Sequence, residues 1–347
     1  MTTVLVTGGC GFIGSNFVRL LNTETDWRVI NLDKLTYAGN LENVAGIDGQ
    51  RNRFVRGDIC DRALVEEILQ TEKPSVIVNF AAESHVDRSI LDAMPFVQTN
   101  IAGVQSLLDA IRKSSVERFL QISTDEVYGD KEGKEPATED SPVCPSSPYA
   151  ATKAAADLLC SAYRRTYGLP ILVTRSSNNY GPYQFPEKLI PLLIRNGLSG
   201  LEFPIYGDGR QVRDWLFVED NCRAILTVLQ KGQLGSIYNI GTAEERTNCD
   251  VVESICAAIA DRKGIDLTSL QRRIRFVTDR PGHDRRYAID ASKIRAETGW
   301  RPGIVFSAAL NQTVDWYLNH AEWASRVTSG EYRNYYDSVY SRDWARR

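Results

Sequence analysis

Two groupings of titratable side chains could do chemistry. Tyr149 and Lys153 are four residues apart, so on a helix they share one face. A phenol with a pKa near 10 needs help to act as a base at neutral pH, and a neighbouring ammonium favours the phenolate. An ordinary surface helix pair is the plainer reading of the same spacing. The second grouping is Thr124-Asp125-Glu126, a hydroxyl followed by two adjacent carboxyls. Loop acids or a helix cap are the plainer reading there. The chemical reading is that two carboxyls whose surroundings push their pKa values apart can serve together as general acid and general base.

A third feature gives both groupings a context. Gly9-Cys10-Gly11-Phe12-Ile13-Gly14, preceded by Gly8, is a G-x-G-x-x-G that follows a strand-like run and opens a helix-like one. Glycines there allow a tight turn and close backbone approach, and the helix N-terminus faces a pyrophosphate. Asp33 follows Gly14 by 19 residues, where an acid binds the adenosine ribose. The carboxylate favours NAD over NADP, and Lys34 could soften that preference. Asp58-Ile59 is placed to touch the adenine, or is a simple strand-end turn. Beside a nicotinamide, an acid–base pair has a use that plain dehydrogenation lacks. Once C4 of a hexose is a ketone its C5 proton is acidic, so a base can remove it while an acid protonates the departing C6 hydroxyl.

The elements that must hold these groups are legible as alternating runs. Val4–Thr7, Arg28–Leu32, Arg53–Arg56, Val76–Phe80, Phe119–Ser123 and Ile171–Thr174 are continuous apolar runs, as strands buried on both faces would be. Helical stretches fall at Ile13–Asn22, Arg62–Thr71, Val97–Ser114 and Tyr149–Tyr167. The pattern predicts an α/β, Rossmann-type doubly wound parallel sheet with a smaller, loop-rich C-terminal lobe. Residues 1–180 are read as the NAD-binding domain, with 215–240 returning to the sheet as a helix (Trp215–Gln230) and a strand (Ser236–Ile240). Residues 181–214 and 241–347 are read as the substrate lobe. The tail Glu331–Arg347, rich in Tyr, Trp and Arg, has no assigned role.

Composition narrows the class. The chain has 347 residues, 43% hydrophobic and 24% charged, with a net charge of −3, which provides no basic field for nucleic acid or membrane. No apolar run is long enough to span a bilayer, and the N-terminus does not read as a signal peptide. Seven scattered cysteines without a CxxC suit free thiols in the cytoplasm. Three histidines without ligand spacing predict no metal site.

Over essentially its whole length the sequence resembles the dTDP-glucose 4,6-dehydratases, extended short-chain dehydrogenases/reductases. The resemblance rests on the glycine motif, on Ala81-Ala82-Glu83-Ser84-His85-Val86-Asp87-Arg88-Ser89 and on Ser123-Thr124-Asp125-Glu126-Val127-Tyr128-Gly129. Ser177-Asn178-Asn179-Tyr180-Gly181-Pro182-Tyr183 through Leu189, Val212-Arg213-Asp214-Trp215 and Arg280-Pro281-Gly282-His283-Asp284-Arg285-Arg286-Tyr287 complete it. It implies Tyr149 as base at C4 with Lys153 as partner and Thr124 beside them, Asp125 as acid at the C6 hydroxyl and Glu126 as base at C5. It implies NAD, regenerated each turn, near Gly8, Gly11, Phe12, Ile13, Gly14, Asp33, Lys34, Leu35, Thr36, Asp58, Ile59, Phe80, Ala81, Ala82, Thr99 and Asn179, with Tyr149 and Lys153. It implies a nucleoside diphosphate hexose near Ser84, His85, Thr124, Asn178, Glu187, Lys188, Leu189, Pro204, Tyr206, Arg213, Asn248, Asp279, Arg280, His283 and Tyr287. Relatives also imply a homodimer through the Val97–Ser114 and Tyr149–Tyr167 helices, whose apolar faces could equally just cover the sheet.

Some positions depart from that pattern or stay open. Ser176 stands where Cys is frequent, Asn221 where His is usual, and Gly241-Thr242-Ala243 where a Gly-Gly pair is typical. His85 reads equally as a satisfied core histidine, and Arg285 and Arg286 as surface arginines. A UDP-hexose dehydratase is the next reading, a 4-epimerase or decarboxylase would leave the acids idle, and a silent dinucleotide-binding sensor would leave the whole constellation unused.

Overall fold

The computed structural model describes residues 1–328; the tail from Glu331 lies outside them. Twelve strands run along the described chain: β1 (Thr3–Thr7), β2 (Arg28–Asp33), β3 (Asn52–Arg56), β4 (Val76–Asn79), β5 (Arg118–Thr124), β6 (Ile171–Ser176), β7 (Asn178–Tyr180), β8 (Phe203–Tyr206), β9 (Val212–Phe217), β10 (Ile237–Ile240), β11 (Glu245–Thr247) and β12 (Ile274–Val277). The six apolar runs become β1 to β6. With β10 they form one parallel sheet of order β10-β6-β5-β4-β1-β2-β3.

Side chains alternate across a strand, so each strand feeds two cores. Val4 and Val6 join Phe17, Leu21, Ile225 and Val228 from helices Phe12–Glu24 and Val218–Lys231. Leu5 between them faces the other side, with Leu69, Leu107 and Ala156 from helices Arg62–Glu72, Val104–Ile111 and Pro148–Tyr167. Strand order reverses between β1 and β4, which opens a crevice at their carboxyl ends.

The second lobe has its own core, built around Tyr180, Ile194, Phe203, Val251, Ile255 and Leu310. Over it lie the small sheets β11-β9-β7 and β12-β8. Two expectations are corrected here. Trp215–Phe217 is not helical: it ends β9, hydrogen-bonded between β7 and β11, and the helix begins at Val218. The Val97–Ser114 stretch is not one regular helix. Val97–Gly103 is a wide π-type turn, and the α-helix runs from Val104 to Ile111.

Candidate active site

The helix carrying Tyr149 and Lys153 starts where local chemistry dictates. Ser147 caps it by accepting the Ala150 N–H at 3.1 Å, and Pro148 occupies the first turn; such a cap is worth about 1 kcal/mol. Gly168 ends it in the left-handed conformation (φ +70°). Tyr149 and Lys153 are both buried, and the Lys153 ammonium donates to the Ile122 carbonyl at 2.6 Å. Burial pulls Lys153 down to about 8, while Asp157, one turn further on, pushes it back up. Burial, then Glu126, pushes the Tyr149 phenol up, and the Thr124 hydroxyl pulls it down.

Thr124 closes β5, so Asp125 and Glu126 fall at the carboxyl edge of the sheet in a short 3₁₀ turn, Asp125–Tyr128. The Thr124 hydroxyl donates to Asp125 Oδ1 and accepts the Glu126 N–H, both at 3.3 Å. The two carboxyls are not equivalent. Burial, then Glu126 and Asp214, raises Asp125 well above the ordinary carboxylate range, with Arg213 as its one opposing cation. Burial also raises Glu126, but Arg280, Lys188 and Arg213 oppose it. Burial therefore raises both carboxyls, but neighbouring acids push Asp125 further up while cations draw Glu126 back, the kind of separation that acid–base catalysis needs.

Two clefts lie on the carboxyl side of the sheet. The first, about 600 Å³, is lined by Gly8, Gly11, Asp33, Lys34, Thr36, Asp58, Ile59, Phe80, Ala81, Ala82 and Thr99. Gly8 has φ +69°, and a Cβ on it would sit 2.6 Å from the Ala81 nitrogen; one on Gly14 would lie 2.2 Å from the Gly8 carbonyl. Gly11, which lines the cleft, caps the helix beginning at Phe12 with no side-chain hydrogen bond; Phe12, Ile13 and Gly14 follow it in the first turn and do not themselves line the cleft. Asp33 accepts the Cys10 and Leu35 N–H groups, each at 2.8 Å, and so shapes both walls. Lys34 is bound to Asp58 at 2.7 Å rather than free to meet an added phosphate. A dinucleotide fits these residues: a glycine-lined turn, a bare helix terminus and an acid at the ribose position.

The second cleft, about 870 Å³, is lined by His85, Glu126, Asn178, Glu187, Lys188, Leu189, Pro204, Tyr206, Arg213, Asn248, Arg280 and His283, as well as Asp87, Gln184 and Trp215. Asn179 lines it too, although the resemblance placed it near NAD. Four expected residues stand just behind the wall. The Ser84 carbonyl accepts Lys188 Nζ at 2.9 Å, Asp279 holds His283 at 2.6 Å, Tyr287 lies 4.1 Å under the Arg213 guanidinium, and Thr124 sits beside Asp125. Asp125 Oδ2, Glu126 Oε2, Asn178 Oδ1, Trp215 Nε1 and Arg280 Nε are buried without a hydrogen-bond partner among the described residues. Each such atom costs about 1–3 kcal/mol, so their convergence marks a place built for a polar ligand. His85 is buried near Glu187 (3.9 Å), and burial lowers its pKa. Arg285 and Arg286 pair with Asp208 and Glu245 outside the cleft.

Sequence reading missed the groups that hold this wall in place. Asn100, in the π-type turn, accepts the Glu83 N–H and donates to the Glu83 carbonyl and Thr152 Oγ1, tying the 81–84 loop to the catalytic helix. Asp157 binds Arg175 at 2.9 Å, and Arg175 reaches Tyr128 at 2.8 Å, all buried behind Lys153. Ser176 and Asn221, both departures from the family pattern, bond to each other at 3.0 Å, and Asn221 continues to Asn179 at 2.8 Å. Gly241 is also explained, because a Cβ there would lie 2.4 Å from Asp214 Oδ2.

The family model for GDP-mannose 4,6 dehydratase matches residues 5–313. A dTDP-glucose 4,6-dehydratase of Xanthomonas campestris is 53% identical, covering 96% of this chain and 98% of its own. The crystal structure of DesIV, a dTDP-glucose 4,6-dehydratase of Streptomyces venezuelae with NAD bound, matches with a TM-score of 0.88 and 47% identity over 94% of this chain and all of its own. A UDP-glucose 4-epimerase of Thermotoga maritima reaches a TM-score of 0.84 at 29% identity, covering 92% and 100% of the two chains.

Proposed function

Because the chain belongs to the GDP-mannose 4,6 dehydratase family, with dTDP-glucose 4,6-dehydratases among its near relatives, we propose that it removes water from dTDP-glucose to give the dTDP-4-keto-6-deoxyhexose. Bound NAD supplies a hydride acceptor for C4 and the same hydride for C6 once water has left. The residues of the first cleft hold it. Tyr149 takes the C4 hydroxyl proton, and the charge on Lys153 favours the phenolate. Glu126 removes the C5 proton and returns one to C5 when C6 is reduced. Asp125 protonates the C6 hydroxyl, which leaves as water. Arg213 and Arg280 meet the diphosphate, and paired guanidinium donors suit its oxygens.

The observation that carries this reading is the unequal pair: Asp125 beside carboxylates, Glu126 beside three cations. A 4-epimerase has no task for it. Residues 1–177 with 218–240 hold the cofactor, and the second lobe, from β7 on, meets them around the sugar nucleotide. Exposed Val97, on the π-type turn, and Leu158 and Tyr167, on the helix Pro148–Tyr167, with Met94 just before the turn, support a homodimer through that face, which sedimentation would test. The free cysteines suit a reducing cytoplasm.

The direct test is incubation with dTDP-glucose, and separately UDP-glucose, in D₂O without added cofactor, followed by NMR and mass spectrometry. The expected product is the 4-keto-6-deoxy sugar with deuterium at C5, formed faster from the dTDP sugar. Faster UDP-glucose turnover would reassign the base. A C4 epimer with no loss of water would refute the dehydration roles.

A further inference from the structure

Asp87 is almost fully buried and belongs to the Ala81–Ser89 motif, yet no step of the proposed reaction uses it. It stands in the short helix Val86–Leu91, after β4 in the cofactor-binding half. Its two oxygens reach two different parts of the other lobe. Arg280 Nη1 donates to Oδ1 at 3.0 Å from the loop after β12, and the Tyr206 hydroxyl donates to Oδ2 at 3.0 Å from the end of β8. Both donors line the second cleft, as does Asp87 itself. Arg280 keeps Nε buried and unpartnered, so the bond to Asp87 fixes one edge of the guanidinium while donors remain for a ligand.

We propose that Asp87 is a positioning residue for the sugar nucleotide: its carboxylate clamps Arg280 and Tyr206 in the geometry that receives the diphosphate-bearing part of the ligand. The proposal rests on the reading of the second cleft given above. The physical case is preorganisation. A free arginine on a loop loses side-chain freedom when it meets an anion, whereas one already held by a buried carboxylate loses little. The pairing also offsets the charge of Arg280 itself, which lies in one cleft with Lys188 and Arg213 and would otherwise add to their mutual repulsion. Burial works against the charge on Asp87, but the Arg280 guanidinium and the hydrogen bonds from Arg280 and Tyr206 draw the carboxyl down, so the clamp is ionised at neutral pH.

The first test is Asp87→Asn in the NAD-loaded enzyme, read by steady-state kinetics on dTDP-glucose and by calorimetric titration with dTDP. KM and the dTDP dissociation constant are expected to rise roughly tenfold to a hundredfold, the worth of one or two charge-assisted hydrogen bonds, with kcat within a fewfold of wild type and NAD content unchanged. In an Arg280→Lys background, adding Asp87→Asn is expected to do little more, because the two act as one unit. Should Asp87→Asn fail to fold, the cycle of Tyr206→Phe with Arg280→Lys decides. These two residues are joined by the Asp87 carboxylate, so their effects on dTDP affinity are expected to be non-additive, and strict additivity overturns the clamp. Unchanged dTDP affinity in Asp87→Asn, or loss confined to kcat, also overturns it. A wild type that binds dTDP without converting the glucose would overturn the proposed reaction and leave the clamp standing.

Discussion

The charge of Lys153 is maintained by a buried ion pair that never touches the substrate, and this gives a sharp pH prediction. Lys153 titrates at about 8, depressed from 10.5 by burial and supported by Asp157. Residues four apart on a helix lie about 6 Å apart, and at an effective dielectric near 20 an ion pair at that distance is worth about 3 kcal/mol, or about 2 pKa units. Removing Asp157 alone would leave Arg175 buried and unpaired, a loss of about 3–5 kcal/mol. The informative variant is therefore Asp157→Asn with Arg175→Met. Losing the Arg175 cation as well offsets part of this, so taking a net drop of about 1.5 units, Lys153 would titrate near 6.5, and at about pH 7.5 its charged fraction would fall from about three quarters to about a tenth. Since the charged form supports the Tyr149 phenolate, kcat/KM falls about eightfold near pH 7.5 and recovers toward wild type near pH 6. The assay is initial rate against pH, plotted as the ratio of variant to wild type, which cancels any limb belonging to Glu126. A ratio independent of pH would refute the argument and reduce the pair to a packing role.

Other outcomes follow from the same site. Asp125→Asn with Glu126→Gln should slow dehydration by about 10²–10⁴-fold while leaving C4 oxidation, visible as reduced nicotinamide absorbance that builds up on mixing with sugar nucleotide. Lys153→Met should inactivate the enzyme yet raise its stability by about 1–3 kcal/mol at neutral pH. The folded state disfavours the lysine proton, so the cost is fully present below about pH 8 and relieved as pH rises toward 10.5; equal denaturant midpoints for the two proteins near pH 7 would contradict this. Gly241→Ala forces a methyl within 2.4 Å of Asp214 and should cost about 1–3 kcal/mol, measured by urea unfolding. Asn221→Ala should cost a similar amount, because Ser176 and Asn179 both lose a buried partner.

Most of the sheet was legible because β1, β2, β4, β5 and β6 are buried on both faces and so appear as near-continuous apolar runs; the edge strand β3 is instead largely exposed, with Arg53 and Arg56 flanking a single Phe-Val pair. The same logic failed at Trp215–Phe217. That run is also apolar, but its partner is the three-residue strand β7, more than thirty residues earlier, while β11 pairs only with the preceding Val212–Asp214, and nothing local says strand rather than helix. Asp125, Glu126, Tyr149 and Lys153 were legible because adjacency or one helical turn brings them together. Asp87 was not, since its meaning comes from Arg280 and Tyr206, 193 and 119 residues away. Asp157 and Arg175 are nearer in sequence, but helix and strand had to be packed before a charge on each could be seen as a pair. The wide turn at Val97–Gly103 carries no glycine or proline until its last residue, and so gave no sign of itself.

The last described helix, Ala321–Val327, reaches back across the whole chain. Trp323 donates its indole N–H to Asn43 at 2.9 Å, and Arg326 pairs with Glu42 at 2.7 Å, contacts separated by 280 and 284 residues. Asn43 in turn holds the Cys10 carbonyl of the glycine-rich turn. During synthesis, then, the first strands can pair long before the rim of the cofactor cleft is fastened. A ribosome must add some 280 further residues after Asn43 before this fastening of the glycine-rich turn can form.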